Sequence, residues 1–103
     1  MNTQTPETED LFKTILSLRT KAETSAFFQD LLTEGEIREF SMRWKAAQML
    51  SQNIPYTEIQ KQTGLSSTTV ARISKWLTSG MNGYKKMITR ASHTHPSSKK
   101  VKS

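Results

Sequence analysis

Apolar side chains recur at helical spacing in three stretches of the first half of the chain. The first stretch runs from Glu9 to about Arg19 and places its leucine, isoleucine and phenylalanine residues on one side of a helix. The next two begin with TKAE and TEGE, in which Thr20 and Thr33 can cap a helix while a glutamate three residues later reaches back. The pattern predicts three helices, of which the third, about residues 34–52, is the longest.

The third predicted helix is apolar on more than one side. One stripe contains Ile37, Trp44 and Leu50, and a second contains Met42 and Met49. A helix with two apolar sides is usually buried on both. The chain has 103 residues, so its own core is modest, and a second copy of the chain could cover one side. A central helix in a monomeric bundle is the alternative, and we favour the dimer.

Glycine, serine and proline divide the second half of the chain into shorter helices. A proline suits the first turn of a helix over about residues 55–62, and Gly64 can end that helix with a left-handed backbone. Ser66 can cap a helix over about 67–78, and a last helix is predicted over about 83–90. The sequence therefore predicts an all-α fold of five to six helices that contains a helix-turn-helix.

Two polar segments flank the predicted helical domain, residues 9–90. Residues 1–8 are polar and begin the acidic stretch MNTQTPETEDLF, whereas residues 91–103 are polar, basic and interrupted by proline, so we expect both segments to be disordered. The acidic start is the opposite of a secretory signal, and no apolar run is long enough to span a membrane. We therefore expect a cytoplasmic protein with no membrane partner.

Positive charge is concentrated in the second half of the chain. Residues 1–40 contain four lysines and arginines against eight acidic residues, whereas residues 41–103 contain eleven against Glu58 alone. The formal net charge of +6 therefore hides a strongly basic half. Such a half is typical of a protein that binds a polyanion, although a solvated basic face would carry the same charge.

A helix-turn-helix is predicted in the sequence YTEIQKQTGLSSTTVARISKWL. The apolar positions that would pack between its two helices are Ile59, Leu65, Val70 and Ile73. This spacing allows the helices to cross at a steep angle, with Gly64 at the turn. A helical hairpin in a structural bundle would share the spacing. The turn glycine, the β-branched anchors, the serine- and threonine-rich helix start and the basic half of the chain together favour a DNA-binding unit.

Small and long polar side chains remain on the outer side of the second of these helices. Small residues let the backbone approach base edges, a threonine can hydrogen-bond a base, and an arginine can bind guanine through two hydrogen bonds. The side chains that we expect to contact bases are Ser67, Thr68, Thr69 and Arg72. Thr69 lies nearer the flank of the helix, and a local cap at the helix start is its alternative role.

Other polar side chains are candidates for contacts with DNA phosphates, which position a protein without reading sequence. These candidates are Arg43, Lys45, Thr57, Gln60, Lys61, Ser66 and Lys75. Ser66 stands at a helix N-terminus, where a phosphate can be held. An exposed solubilising charge is the alternative for Lys45 and Lys61. Lysines of the last helix and the tail can add nonspecific attraction.

Catalysis and metal binding find little support in the sequence. The chain has no cysteine, and its two histidines lie in the predicted tail without a third ligand, so we predict no metal and no cofactor. The four glycines are too dispersed to form a phosphate-binding loop. Trp44 and Trp76 stand among apolar residues at helical spacing, which predicts core packing rather than stacking on bases.

Three motifs, spread over about residues 8–90, carry a family resemblance. They are LTEGE before a long helix, EIxxxTGLSSTTVxRIS, and GxxGY at Gly80, Gly83 and Tyr84. These motifs resemble the Trp repressor-like family, and in particular the small TrpR-related proteins called YerC/YecD. The resemblance implies an intertwined all-α homodimer that binds double-stranded DNA and reads a palindromic operator, usually to repress transcription.

The resemblance does not extend to the tryptophan-binding site of Trp repressor. The two arginines that sandwich the indole there fall on Arg43 and Arg72. The glycine that leaves room for the ligand falls on Ile73, and the serine that helps to hold its amino group falls on Trp76. Because both replacements would fill the pocket, we expect no tryptophan binding, and the sequence identifies no other effector.

Two other functions fit the sequence. A nucleic-acid module of another kind, such as the helix-turn-helix arm of a transposase or an architectural DNA binder, would use the same basic surface. A protein-interaction module would bind another regulator and show only weak, charge-driven affinity for DNA. The leading prediction is a homodimeric, sequence-specific transcriptional regulator.

Overall fold

Six α-helices form the part of the chain that the computed structural model describes, residues 4–94. Their bounds are α1 Pro6–Leu16, α2 Lys21–Leu31, α3 Glu34–Ser51, α4 Tyr56–Thr63, α5 Ser67–Ser79 and α6 Gly83–Thr94. These residues contain no strand, so the predicted all-α fold is confirmed. None of the six helices is long and apolar enough to cross a membrane.

The first helix begins at Pro6, earlier than the predicted start at residue 9. Thr5 caps it, because the Thr8 N–H donates to Thr5 Oγ1 at 3.1 Å and the Thr5 N–H donates to Thr8 Oγ1 at 2.9 Å. Residues 6–8, which we expected to be disordered, are therefore helical. The pattern missed this start because a threonine, and not the usual glutamate or glutamine, holds the third position of the capping box.

Threonine caps open α2 and α3 where the sequence predicted them. At α3, the Glu36 N–H donates to Thr33 Oγ1 at 3.1 Å and the Thr33 N–H donates to Glu36 Oε1 at 2.8 Å, which completes a capping box. At α2, the Glu23 N–H donates to Thr20 Oγ1 at 3.0 Å, but the Glu23 carboxylate accepts from the Arg19 N–H instead. Both caps satisfy backbone donors that a first helical turn leaves unpaired.

The chain divides into two compact units, Met1–Ile37 and Arg38–Ser103. In the first unit, neither α1 nor α2 contains a buried residue. Phe12 and Leu31 are exposed, and Leu16 is 84% exposed. The apolar side chains that predicted these two helices therefore enclose no core of their own among residues 4–37.

The buried core lies in the second unit and joins α3, α4 and α5. Its apolar residues are Ala46, Ala47, Met49, Ile59, Val70 and Ile73. Partly buried apolar residues surround them, and Tyr84 and Ile88 bring α6 against the same cluster. Since α5 contacts both α4 and α6, its position within this unit is fixed by packing on both sides.

The last helix extends to Thr94, beyond the predicted end at residue 90. Ala91 is half-buried and follows Tyr84 and Ile88 at helical spacing, so it continues the inward side of α6. The first residues of the predicted disordered tail, 91–94, are therefore helical. The rest of that tail, and the first three residues of the predicted N-terminal segment, lie outside the described residues.

Candidate nucleic-acid interface

The apolar residues predicted as anchors hold α4 and α5 together. Ile59, Val70 and Ile73 are completely buried, and Leu65 is partly buried against the same cluster. Ile59 belongs to α4, whereas Val70 and Ile73 share the inward side of α5. The two helices and the turn between them form the helix-turn-helix that the spacing indicated.

The turn depends on a glycine in the left-handed conformation. Gly64 has a φ of +75°, and its N–H donates to the Gln60 carbonyl at 2.8 Å, which ends α4. A Cβ at this position would meet no atom within 4 Å. The backbone conformation, and not crowding, therefore favours glycine here, as the sequence predicted.

Thr63, the last residue of α4, carries a buried hydroxyl that the sequence analysis missed. The residue is 9% exposed. Its Oγ1 donates to the Ile59 carbonyl at 2.7 Å and accepts from the Leu65 N–H at 3.2 Å. No apolar periodicity marks such a residue. The available signal is a threonine beside a turn glycine, where hydroxyls often bond the backbone.

Ser66 caps the start of α5, as predicted. The Thr69 N–H donates to Ser66 Oγ at 3.1 Å, and the Ser66 hydroxyl donates to Thr69 Oγ1 at 3.0 Å. The two hydroxyls therefore bond each other within the protein, and Thr69 is half-buried. This geometry agrees with the capping role considered for Thr69, and it leaves Ser66 less hydrogen-bonding capacity for a phosphate.

The outer side of α5 presents polar groups without a partner in the described part of the protein. Ser67, Thr68 and Arg72 are exposed, and their side chains form no hydrogen bond or ion pair within residues 4–94. Lys75 is exposed and unpaired in the same way. Hydroxyl, guanidinium and ammonium groups on one helical surface can all bind base edges or phosphates.

Most candidates for phosphate contacts are also on the surface, but Arg43 already forms an ion pair within the protein. Lys45, Thr57 and Lys61 are exposed, and Gln60 is half-buried. Arg43 donates from Nη2 to Glu39 Oε2 at 2.7 Å, while its Nε is buried and has no hydrogen-bond partner among the described residues. Ion pairs this accessible to water stabilise a protein by about 1 kcal/mol or less, so Arg43 can exchange Glu39 for a phosphate.

Positive charge dominates the helices around the turn. The basic residues of α4, α5 and α6 are Lys61, Arg72, Lys75, Lys85, Lys86 and Arg90. The one carboxylate on these helices, Glu58, accepts from Gln62 Nε2 at 2.6 Å. No group of His, Cys, Asp and Glu side chains suited to a metal ion occurs within residues 4–94. The chemistry of this surface is that of cations and hydroxyls, which suits a phosphate backbone.

The two tryptophans differ in burial, and the core-packing prediction is wrong for one of them. Trp44 is partly buried and packs against the core, as predicted. Trp76 is 43% exposed. Leu77 follows Val70 by seven residues and Ile73 by four, so it takes the inward position on α5 and Trp76 lies on the flank.

Comparison with known proteins identifies the family of the chain. A family profile described as Trp repressor protein matches residues 7–92, so the chain belongs to the Trp repressor family. Within it, the chain is a YerC-type, TrpR-like protein. The uncharacterized protein YerC of Bacillus subtilis is 35% identical over 92 residues, which span 89% of this chain and 88% of YerC.

Solved structures share the fold. A TrpR-like protein from Eubacterium eligens superposes with a TM-score of 0.82 at 36% identity, covering 86% of this chain and 92% of that one. A protein from Staphylococcus aureus superposes with a TM-score of 0.81 at 31% identity, covering 86% and 89%. The resemblance drawn from the motifs is thus confirmed. The family is one of DNA-binding regulators and not of enzymes.

Proposed function

We propose that the protein is a sequence-specific transcriptional repressor that acts in the cytoplasm and binds a palindromic operator as a homodimer. The observation that carries this proposal is the outer side of α5, where unpartnered hydroxyl and cationic groups stand on a helix with a buried inner side. Membership of a family of DNA-binding regulators supports the same role. In this proposal α5 is the recognition helix.

The N-terminal half of the recognition helix enters the major groove. Base contacts come from Ser67, Thr68, Thr69 and Arg72, of which Arg72 is suited to a bidentate contact with guanine. Phosphate contacts come from Arg43, Lys45, Thr57, Gln60, Lys61, Ser66 and Lys75. Since Ser66 and Thr69 already hydrogen-bond each other, we assign them smaller contributions to phosphate binding and base reading, respectively.

Dimerisation covers apolar side chains that the single chain leaves exposed. These are Phe12, Leu16 and Leu31 on α1 and α2, and Phe40 on α3. Exposed apolar patches mark protein interfaces. A two-fold dimer would place its recognition helices in successive major grooves, roughly 34 Å apart. Sedimentation at micromolar concentration should give the mass of a dimer, and a folded monomer would contradict this geometry.

Selection from a random duplex library at near-physiological salt, followed by sequencing, tests DNA reading directly. Enrichment of a two-fold symmetric site would support dimeric base readout, and the half-site spacing would test the geometry. Enrichment without symmetry would favour an architectural binder. If nothing is enriched and binding disappears as salt rises, a protein-interaction module becomes the better interpretation. A reporter gene placed behind the selected site then distinguishes repression from activation.

A further inference from the structure

We propose that the buried hydroxyl of Thr63 locks the turn between α4 and α5 and thereby positions the recognition helix for base reading. This inference rests on the proposed function, which supplies the role of α5. Thr63 itself is a positioning residue. It is 9% exposed, so its side chain offers little surface for direct contact with a nucleic acid.

One hydroxyl joins the end of α4 to the first residue beyond the turn. Thr63 Oγ1 donates to the Ile59 carbonyl at 2.7 Å and accepts from the Leu65 N–H at 3.2 Å. The Gly64 N–H between them is already bound to the Gln60 carbonyl at 2.8 Å. The Leu65 N–H therefore donates to a side chain and not to a backbone carbonyl, because the chain has left the helical path at Gly64.

The direction of α5 depends on this arrangement. Removal of the Thr63 oxygen would leave the Leu65 N–H without its hydrogen bond. This loss would destabilise the turn, because Leu65 is partly buried. Ser66, the next residue, caps α5, and a change at Leu65 is passed directly to the helix start. Base contacts tolerate displacements of only about 0.5 Å, whereas long lysine side chains can follow a phosphate. Loss of the lock should therefore reduce sequence reading more than nonspecific attraction.

Two substitutions separate the hydroxyl from the shape of Thr63. Thr63→Val keeps the branched shape but can neither donate nor accept, and Thr63→Ser keeps the hydroxyl. Thr24→Val is the matched control, since the Thr24 hydroxyl also donates to a carbonyl four residues earlier, at 2.9 Å, but lies on α2. The measurements are Kd values for the selected duplex and a scrambled duplex, and amide hydrogen exchange of the free protein.

Thr63→Val should weaken binding to the selected duplex about tenfold and leave the Kd for the scrambled duplex nearly unchanged. Thr63→Ser should restore the preference, and Thr24→Val should not alter it. In the wild-type protein the Leu65 amide should exchange much more slowly than an unstructured amide, and Thr63→Val should speed it up selectively.

An unprotected Leu65 amide in the wild-type protein would overturn the lock without any DNA measurement or variant. An unchanged duplex preference in Thr63→Val, with faster exchange at Leu65, would overturn the link from the turn to base reading. If the wild-type protein prefers no duplex, the proposed function fails and the positioning role fails with it. The protected Leu65 amide would then still report a locked turn, so the two failures are distinguishable.

Discussion

Arg72 is the side chain of α5 whose removal should change sequence preference most. Its guanidinium is exposed and unpaired within the described residues, and a bidentate contact with a base discriminates by about 1–3 kcal/mol. Arg72→Ala should weaken operator binding by that amount and flatten the preference at one base pair, as measured by competition with single-base variants. Lys21→Ala removes a charge from α2 and is the control. Equal weakening for all sequences would place Arg72 on a phosphate.

Substitution of Gly64 tests the turn by its effect on protein stability rather than on DNA binding. Because an alanine Cβ disfavours the left-handed φ of +75° even in open space, Gly64→Ala should lower the free energy of unfolding by about 1–2 kcal/mol. Gly35→Ala also meets no atom within 4 Å but lies in helical α3, so it should raise the free energy of unfolding by up to about 1 kcal/mol. Urea denaturation measures both. A stabilising Gly64→Ala would mean that the turn adopts another backbone.

Helical spacing predicted which apolar residues are buried, whereas the burial of individual aromatic and polar residues was predicted less well. The spacing of Ile59, Val70 and Ile73 predicted the buried side of the helix-turn-helix correctly, because helical periodicity fixes which residues share a face. Trp76 was misplaced because that prediction used its apolar neighbourhood, whereas the spacing from Val70 and Ile73 places Leu77 on the inward side of α5. Thr63 follows Ile59 by four residues and shares its side of α4, but its burial was missed because a hydroxyl is buried only where the folded turn supplies its hydrogen-bond partners.

The start of α3 allows a test of reciprocal capping. Thr33 and Glu36 each accept the other's backbone N–H, at 3.1 and 2.8 Å. Thr33→Ala should lower the free energy of unfolding by about 1 kcal/mol, whereas Thr33→Ser should have little effect. The double variant Thr33→Ala/Glu36→Ala should lower the free energy of unfolding by less than the sum of the single variants, because each hydrogen bond stabilises the helix less when the other is absent. Additive costs in thermal unfolding would mean that the two bonds act independently.

Across the whole molecule, the two units contribute different surfaces. The first unit has an excess of acidic residues and no buried residue on α1 or α2, whereas the second has the buried core, the helix-turn-helix and the excess of basic residues. In the proposed dimer, the association between subunits and the contact with DNA should therefore respond to separate substitutions. A variant that changes one and spares the other assigns each surface its role.

L-tryptophan should not change the affinity of the protein for its operator. Ile73 is completely buried in the core, where the resemblance to Trp repressor would require a glycine, and Trp76 stands where it would require a serine. Saturating L-tryptophan should leave the operator Kd within about twofold, since a ligand without a site has no coupling energy. Fluorescence anisotropy with and without the amino acid measures this. A tenfold tightening would show that the pocket exists despite both replacements.

The tail beyond α6 should contribute to the salt dependence of DNA binding and not to its specificity. Lys99, Lys100 and Lys102 add positive charge after the last described residue, Thr94. A chain ended at Thr94 keeps all of α6, so its helix-turn-helix should be intact. Each lysine that meets a phosphate adds about 0.9 to the slope of log K against log salt concentration, and the truncated chain should lose that part. The ratio of operator to scrambled-duplex affinity should stay the same. Replacing the three lysines with glutamine in the full chain is the matched control, because it removes charge without removing length. A fall in the ratio after either change would mean that the tail reads sequence, as an arm in the minor groove can.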